Sequence, residues 1–415
     1  MLRDIAGLCA QVAAKHGIPK AGLLITAMRK AGWEDASKTV SYLASCSVSS
    51  NEAPDWLSIV NEKHQKRQIA AEVQELNRRL QQVPEDTSVI DMLSDAQSSL
   101  VRAVSSHGQK TIYSLGETLD KVHDQWSQVQ AGTSETVEPT GIEALTRSIK
   151  GLRKKDIVVV GGRPSQMKSC LALTIARTYA RRQKHSLILS LEQSKEQMAM
   201  RIASAHKGIN TRSWDEVMEP SEAKKVNEAL TELHSAPIDF SEVRGCTIPK
   251  IEALARYEKA RCSDLELIVV DYIQLMRLDL SRQSKTAALG EVVNRLRDLA
   301  GELDVTVIAI SQLNREVERS PTKRPTMSDF RESGEIEEVA DVVLLMYWPA
   351  KYWPDEYGRA GLEEYGEIIV GKGRQSGGAG ARCVVKFDGA HARITDCAAE
   401  QRKRYLDYMA ANKRL

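Results

Sequence analysis

Lys168 and Ser169 stand in "GGRPSQMKSC", residues 161–170, between an apolar run, Ile157 to Val160, and a segment with helical spacing. An ammonium and a hydroxyl at the start of a helix suit phosphate chemistry. The lysine contacts the β- and γ-oxygens, the hydroxyl ligates Mg2+, and consecutive backbone N–H groups hold the remaining charge. The pattern G-x-x-x-x-G-K-[ST] is met at Gly162, Lys168 and Ser169 and broken at Met167, where the second glycine belongs. Gly162, Arg163, Pro164, Ser165, Gln166, Met167, Lys168, Ser169 and Cys170 are therefore the candidate nucleotide loop. Met167 is expected to hold negative φ, where a Cβ is harmless, rather than positive φ, where it is costly. Taken alone, a strand-turn-helix with one lysine is equally an ordinary structural turn.

Three further polar residues end apolar runs. Asp271 closes "LELIVVDY", Glu192 follows "LILSL" and Gln312 follows "VIAIS". An aspartate at a strand end is by itself as readily a cap as a ligand. In an open parallel sheet, however, ligands bind beyond the carboxyl ends of the strands, so Lys168, Glu192, Asp271 and Gln312 should converge there. Phosphoryl transfer by positioning then assigns Asp271, with Ser169, to the magnesium shell, Glu192 to polarising the attacking water and Gln312 to sensing the γ-phosphate.

The elements that must hold these residues can be read from the hydrophobic pattern. From Asp156 onward, apolar runs alternate with helical segments: "DIVVVGG", "HSLILSLE", "PIDF", "LELIVVDY", "VTVIAISQL" and "DVVLLMYW". That alternation predicts a mostly parallel α/β sheet with helices on both faces. "GEIIVGKGR", "ARCVVKF" and "HARITD" follow as a terminal antiparallel set. Residues 1–104 carry helical spacing, as at Ile59, Ile69, Val73, Leu76 and Leu80, and predict a small all-α domain. Its basic run from Lys63 to Arg79 reads as a solvated helix face, with nucleic-acid contact the alternative. Residues 105–138 read as a linker around an amphipathic helix at about 114–130, which has nothing in its own chain to bury against and calls for a partner subunit. The remaining unit is 139–415.

At 415 residues the chain exceeds the roughly 250–300 that one core supports. Its 58 basic and 56 acidic residues nearly cancel, so no global field recruits nucleic acid and any such binding must be local. Cys9, Cys46, Cys170, Cys246, Cys262, Cys383 and Cys397 form no C-x-x-C pair, which excludes a zinc knuckle or dithiol motif and fits reduced thiols in a cytosolic protein. The amino terminus lacks the continuous apolar core of a signal peptide, and no stretch reaches membrane-span length.

"GGRPSQMKS", "SLEQS", "VVDYIQLM", "SQLNREVE", "RPTMSDFRESGEIEEVADVVLLMYW" and "EIIVGKGRQSG" together, in order and spacing, resemble the replicative DnaB-type hexameric helicases. The resemblance covers residues 139–395, extends more loosely to "DWLSIVNEKHQKRQI" and does not reach residues 1–45. It implies a RecA-like, ATP- and Mg2+-dependent motor, a linker helix docked on a neighbouring subunit, and a homo-hexameric ring around single-stranded DNA that unwinds duplex 5′ to 3′. It also implies a bacterial cytoplasmic setting, host- or phage-encoded, with primase and a helicase loader as partners. Under it Lys168, Ser169, Glu192, Asp271 and Gln312 keep the roles given above. Lys372 and Arg374 of "GKGR" would reach a neighbour's γ-phosphate, and such a trans-acting finger is worth about 10³ to 10⁵ in rate. Arg331, Glu332 and Gly334 of "FRESGE" match the pore loop that follows DNA phosphates. The basic tail "QRKRYLDYMAANKRL" reads as a solvated terminal helix. Two other functions compete: a RecA-like strand-exchange or maintenance ATPase, and a nucleotide-binding ring scaffold whose hydrolysis Met167 has weakened.

Overall fold

A computed structural model describes residues 114–130, 137–278, 284–330, 333–374, 378–412 and 414, with two isolated helical positions at 74 and 78. The chain divides into two compact units, Met1–Tyr113 and Ser114–Leu415. Apart from those two positions, the helical domain expected over 1–104 lies outside the described residues, as do Arg331 and Glu332.

The second unit is built on one nine-stranded sheet: β1 (Ile157–Gly162), β2 (His185–Ser190), β3 (Ile238–Glu242), β4 (Leu265–Asp271), β5 (Thr306–Gln312), β6 (Val342–Tyr347), β7 (Tyr365–Gly373), β8 (Arg382–Asp388) and β9 (Arg393–Asp396). Their order across the sheet is β3-β2-β4-β5-β1-β6-β7-β8-β9. The first six in that order are mutually parallel, and β7, β8 and β9 continue antiparallel. Each strand coincides with one of the nine apolar runs anticipated from the sequence. Every residue of β1, β2 and β6 is buried, as strands covered on both faces require.

The chain leaves β1 for β2 and β3, then returns through β4 and β5 to β6 on the far side of β1. With right-handed crossovers, this reversal places helices Lys168–Arg181, Lys195–Lys207 and Pro220–Leu233 on one face. Ile248–Arg261 and Lys285–Leu303 cover the other, and the packing of each group on itself agrees. Local signals fix the helix ends. Ser194 caps Lys195–Lys207 through a capping box, Gly208 ends that helix in the left-handed region, and Ser284 caps Lys285–Leu303.

Helix Leu115–Gln130 matches the amphipathic segment in the linker. Leu115, Leu119, Val122 and Trp126 share one face, and each is more than half exposed. The five described cysteines are free thiols. Among the described residues, no helix is long and apolar enough to cross a membrane.

Candidate active site

Register alone brings the strand-end residues together. Gly162 at the end of β1 pairs with Gln312 at the end of β5, and Ser190 at the end of β2 pairs with Asp271 at the end of β4. Because these strands are parallel, all four ends lie on one edge. Beyond that edge is a cleft of about 450 Å3 lined by Pro164, Ser165, Met167, Lys168, Ser169, Cys170, Glu192, Asp271 and Gln312, together with Arg201, Trp348 and Lys351. Lys168, Ser169 and Cys170 are the first three residues of a helix, so their N–H groups have no partner within it and face the cleft as anion donors.

The phosphate loop is held by its own side chains. The Arg163 guanidinium donates to Glu318 Oε1 at 2.7 Å and to the Leu313 carbonyl at 2.9 Å. Gln166 is buried, and its Oε1 accepts from the Trp348 N–H at 2.5 Å. Gly162, Arg163 and Gln166 therefore do not line the cleft; they fasten the loop to β5 and β6, whereas the other six loop residues face the space. A Cβ on the neighbouring Gly161 would collide with the Phe330 ring, so that position needs glycine for close approach.

Met167 departs from expectation. It has φ 63° and ψ 22°, left-handed, and Ser165 is also at positive φ. The negative φ anticipated for Met167 is incorrect: turning the chain from β1 into the helix imposes here the conformation that glycine usually supplies. An L-residue in that region costs about 1–2 kcal/mol, and the Met167 side chain packs against the main core, which offsets part of that cost. Met167→Gly should therefore be more stable than Met167→Ala by about 1 kcal/mol, since both lose the packing and only alanine keeps the Cβ. Urea unfolding of the two variants checks this. The reverse order would mean that the loop leaves the left-handed region.

Electrostatics of the cleft centre on Lys168. Its Nζ donates to the Arg163 carbonyl at 2.9 Å. Burial pulls its pKa down to about 8; Asp271 and Glu192 oppose that shift and Arg163 adds to it. Asp271 is pushed above the usual carboxylate range by burial, against a hydrogen bond from Ser169 and the charge of Lys168. Nucleotide phosphate oxygens would favour the charged lysine, so Lys168 should take up a proton on binding nucleotide at pH values above about 8. Nucleotide affinity should be flat below that pH and fall by up to about tenfold per unit above it, one proton being linked to binding. Titrations of a fluorescent nucleotide across pH 6 to 10 would show this, and an affinity flat across the whole range would contradict it. The Cys170 thiol, pushed up to about 11 by burial, stays neutral, so Cys170 contributes its backbone N–H.

Ser169 and Asp271, a hydroxyl and a buried carboxylate lining the same cleft, are the oxygen donors that a hard divalent cation takes. His185, Asp239, Glu258 and Cys262 also gather within 4.8 Å of one another. There Arg261 already pairs with both carboxylates, so that cluster is an ion-pair group.

Lys372 and Arg374 are not in the cleft. β7 runs antiparallel to β6, so its end pairs Gly373 with Val342 at the start of β6, whereas the phosphate edge lies beyond Leu345, the partner of Gly161. Three strand residues separate those levels, about 10 Å. Arg374 therefore faces away from its own subunit's Lys168, and its Nη1 donates to Asp341 Oδ1 at 2.9 Å. Gly334 is an exposed position in helix Ser333–Val339.

Sequence reasoning gave no role to Gln274, Arg201, Trp348 or Lys351. The Gln274 amide accepts from the Gln312 N–H at 3.1 Å and donates to Ser311 Oγ at 2.7 Å, fixing the end of β5. Its signal was an amide just after the β4 aspartate in "VVDYIQLM". Arg201 lies mid-helix in Lys195–Lys207, where nothing in the local pattern marks it.

Residues 138–396 match a family model described as DnaB-like helicase C terminal domain. A replicative DNA helicase DnaB of Haemophilus influenzae is 32% identical over 400 residues, covering 92% of this chain and 82% of that one. Its counterpart in Pasteurella multocida is 33% identical over 332 residues, covering 77% and 69%. A solved DnaB-like replicative helicase, described with its interactions with primase, shares the fold at a TM-score of 0.67 and 22% identity, over 94% of this chain and 90% of that one. With the nucleotide cleft, the mixed sheet and these matches in agreement, the chain belongs to the DnaB-like helicase family and is an ATP-hydrolysing DNA helicase.

Proposed function

We propose that the protein is a replicative helicase that works as a homo-hexameric ring around single-stranded DNA and moves 5′ to 3′. The observation that carries this reading is the division of the site between two edges of one sheet. Lys168, Ser169, Glu192, Asp271 and Gln312 share one edge, and Lys372 and Arg374 lie toward the other. A single subunit cannot bring both sets to one nucleotide; neighbours in a ring can. The exposed apolar stripe of helix Leu115–Gln130 supports the same assembly, because a neighbouring subunit would cover it. On this reading the chain comprises a helical domain over 1–104, a linker over 105–138 and the motor over 139–415.

In the chemistry that follows, Glu192 orients and polarises the attacking water, Lys168 and the loop N–H groups hold the phosphates, and Gln312 senses the γ-phosphate. Ser169 and Asp271 would hold Mg2+, which when bound neutralises charge on the β- and γ-oxygens. Arg331, Glu332 and Gly334 would track DNA phosphates, one loop per subunit, which lets a nearly neutral chain bind DNA. Primase and a helicase loader are the expected partners, in the bacterial cytoplasm.

Light scattering with and without nucleotide tests assembly: a six-subunit mass is expected, and a monomer under every condition contradicts the reading. Arg331→Ala should weaken single-strand binding whatever the sequence and reduce its salt dependence, because the contact is to phosphate. Unchanged affinity together with an unchanged salt slope would remove Arg331 from the pore.

A further inference from the structure

Between the proposed DNA loop and β6 runs helix Ser333–Val339, followed by Ala340 and Asp341. The helix is anchored below by Ile336, Val339 and Ala340, all buried. Its last-turn carbonyls, on Glu337 and Glu338, accept from the Lys372 ammonium, a favourable place for a cation because helix C-terminal carbonyls lack intrahelical donors. Asp341 is buried and fully engaged. Its Oδ2 accepts from the Ile157 N–H at 3.1 Å, at the start of β1, and its Oδ1 accepts from Arg374 Nη1 at 2.9 Å. Its backbone carbonyl accepts from the Arg374 N–H at 2.8 Å. Arg374 is thus tied by backbone and side chain to one residue, while its guanidinium stays about half exposed.

We infer that Asp341 is the positioning residue for the trans-acting Arg374. The inference rests on the trans reading of Lys372 and Arg374 given above. Asp341 ties Arg374 to the start of β1, while the carbonyls that end helix Ser333–Val339 hold Lys372 beside it. Asp341 does not touch the nucleotide; it acts through Arg374.

The test uses the full chain and measures ATP turnover, nucleotide affinity and ring mass. In Asp341→Asn the amide oxygen can keep the Ile157 bond only by turning its NH2 toward Arg374, so the guanidinium loses its partner while the strand start is preserved. Turnover should fall on the order of 10- to 100-fold, the cost of misplacing a catalytic group, with the KM for ATP and nucleotide affinity of the parent. The double variant Asp341→Asn, Arg374→Ala should be no slower than Arg374→Ala alone. Mixing Asp341→Asn subunits with Lys168→Ala subunits should restore hydrolysis above either alone, because one supplies an intact nucleotide loop and the other an intact finger. A misfolded variant cannot complement in this way. Parental turnover in Asp341→Asn while Arg374→Ala is impaired overturns the inference. So does a double variant slower than Arg374→Ala, or a mixture without recovery. Parental turnover in Arg374→Ala instead overturns the trans reading itself. If Asp341→Asn proves insoluble, Asp341→Glu decides the matter: turnover between parent and Arg374→Ala, with parental nucleotide affinity, is expected, and parental turnover contradicts the inference.

Discussion

Lys168→Ala is expected to reduce ATP hydrolysis by at least about 10³-fold, with ring assembly intact. Loss of a single preorganised donor at developing charge typically costs about 10² to 10³ in rate. Here the same ammonium also balances Asp271 and Glu192, both of which act on it electrostatically. Without it two carboxylates face an anionic substrate with only Arg201 and Lys351 as cations in the cleft lining. The fold should survive, because the substitution removes from the protein itself one hydrogen bond, to the Arg163 carbonyl, worth about 1.5–3 kcal/mol for a charged donor. Single-turnover hydrolysis alongside circular dichroism checks both halves. Parental hydrolysis by Lys168→Ala would mean that "GGRPSQMKSC" is not the catalytic phosphate loop.

Arg374→Ala is expected to lower turnover by about 10³ to 10⁵, the range attributed to a trans-acting arginine. Nucleotide affinity should stay close to that of the parent, because Arg374 lies some 10 Å back along the sheet from its own subunit's cleft. Stability should fall by about 1–3 kcal/mol, because the Arg374 guanidinium is half exposed but the Asp341 carboxylate that loses its donor is buried. Steady-state hydrolysis with and without single-stranded DNA, beside equilibrium nucleotide binding, separates loss of catalysis from loss of binding. A variant that binds poorly and also turns over poorly would place Arg374 in its own subunit's cleft.

The sheet could be read from the sequence because its central strands are buried on both faces and appear as unbroken apolar runs, from Ile157–Gly162 to Val342–Tyr347. The cleft residues could be read because each ends such a run, and parallel strands carry their ends to a common edge. What the sequence hid depends on tertiary context. The motif's glycine position pointed to positive φ at residue 167 and the methionine there pointed away from it; the turn into the helix decides for positive φ. Nothing local says that Arg163 and Gln166 point away from the cleft, because their partners, Glu318 and Trp348, lie far along the chain. Gln274 acts only through the neighbouring strand, and Arg201 only because the packing of its helix brings that one residue to the cleft. The positions of Lys372 and Arg374 at the opposite edge follow from β7 reversing direction beside β6, which "GKGR" alone does not reveal.

The most direct test of the central claim is strand separation of a forked duplex by the purified protein, with ATP hydrolysis followed in the same reaction and Lys168→Ala as control. The account predicts hydrolysis stimulated by single-stranded DNA, ATP-dependent unwinding that requires a 5′ tail, and loss of both in the variant. DNA-stimulated hydrolysis with no strand separation on any fork would contradict it in favour of a maintenance or strand-exchange ATPase, and tight nucleotide binding without hydrolysis would contradict it in favour of a scaffold.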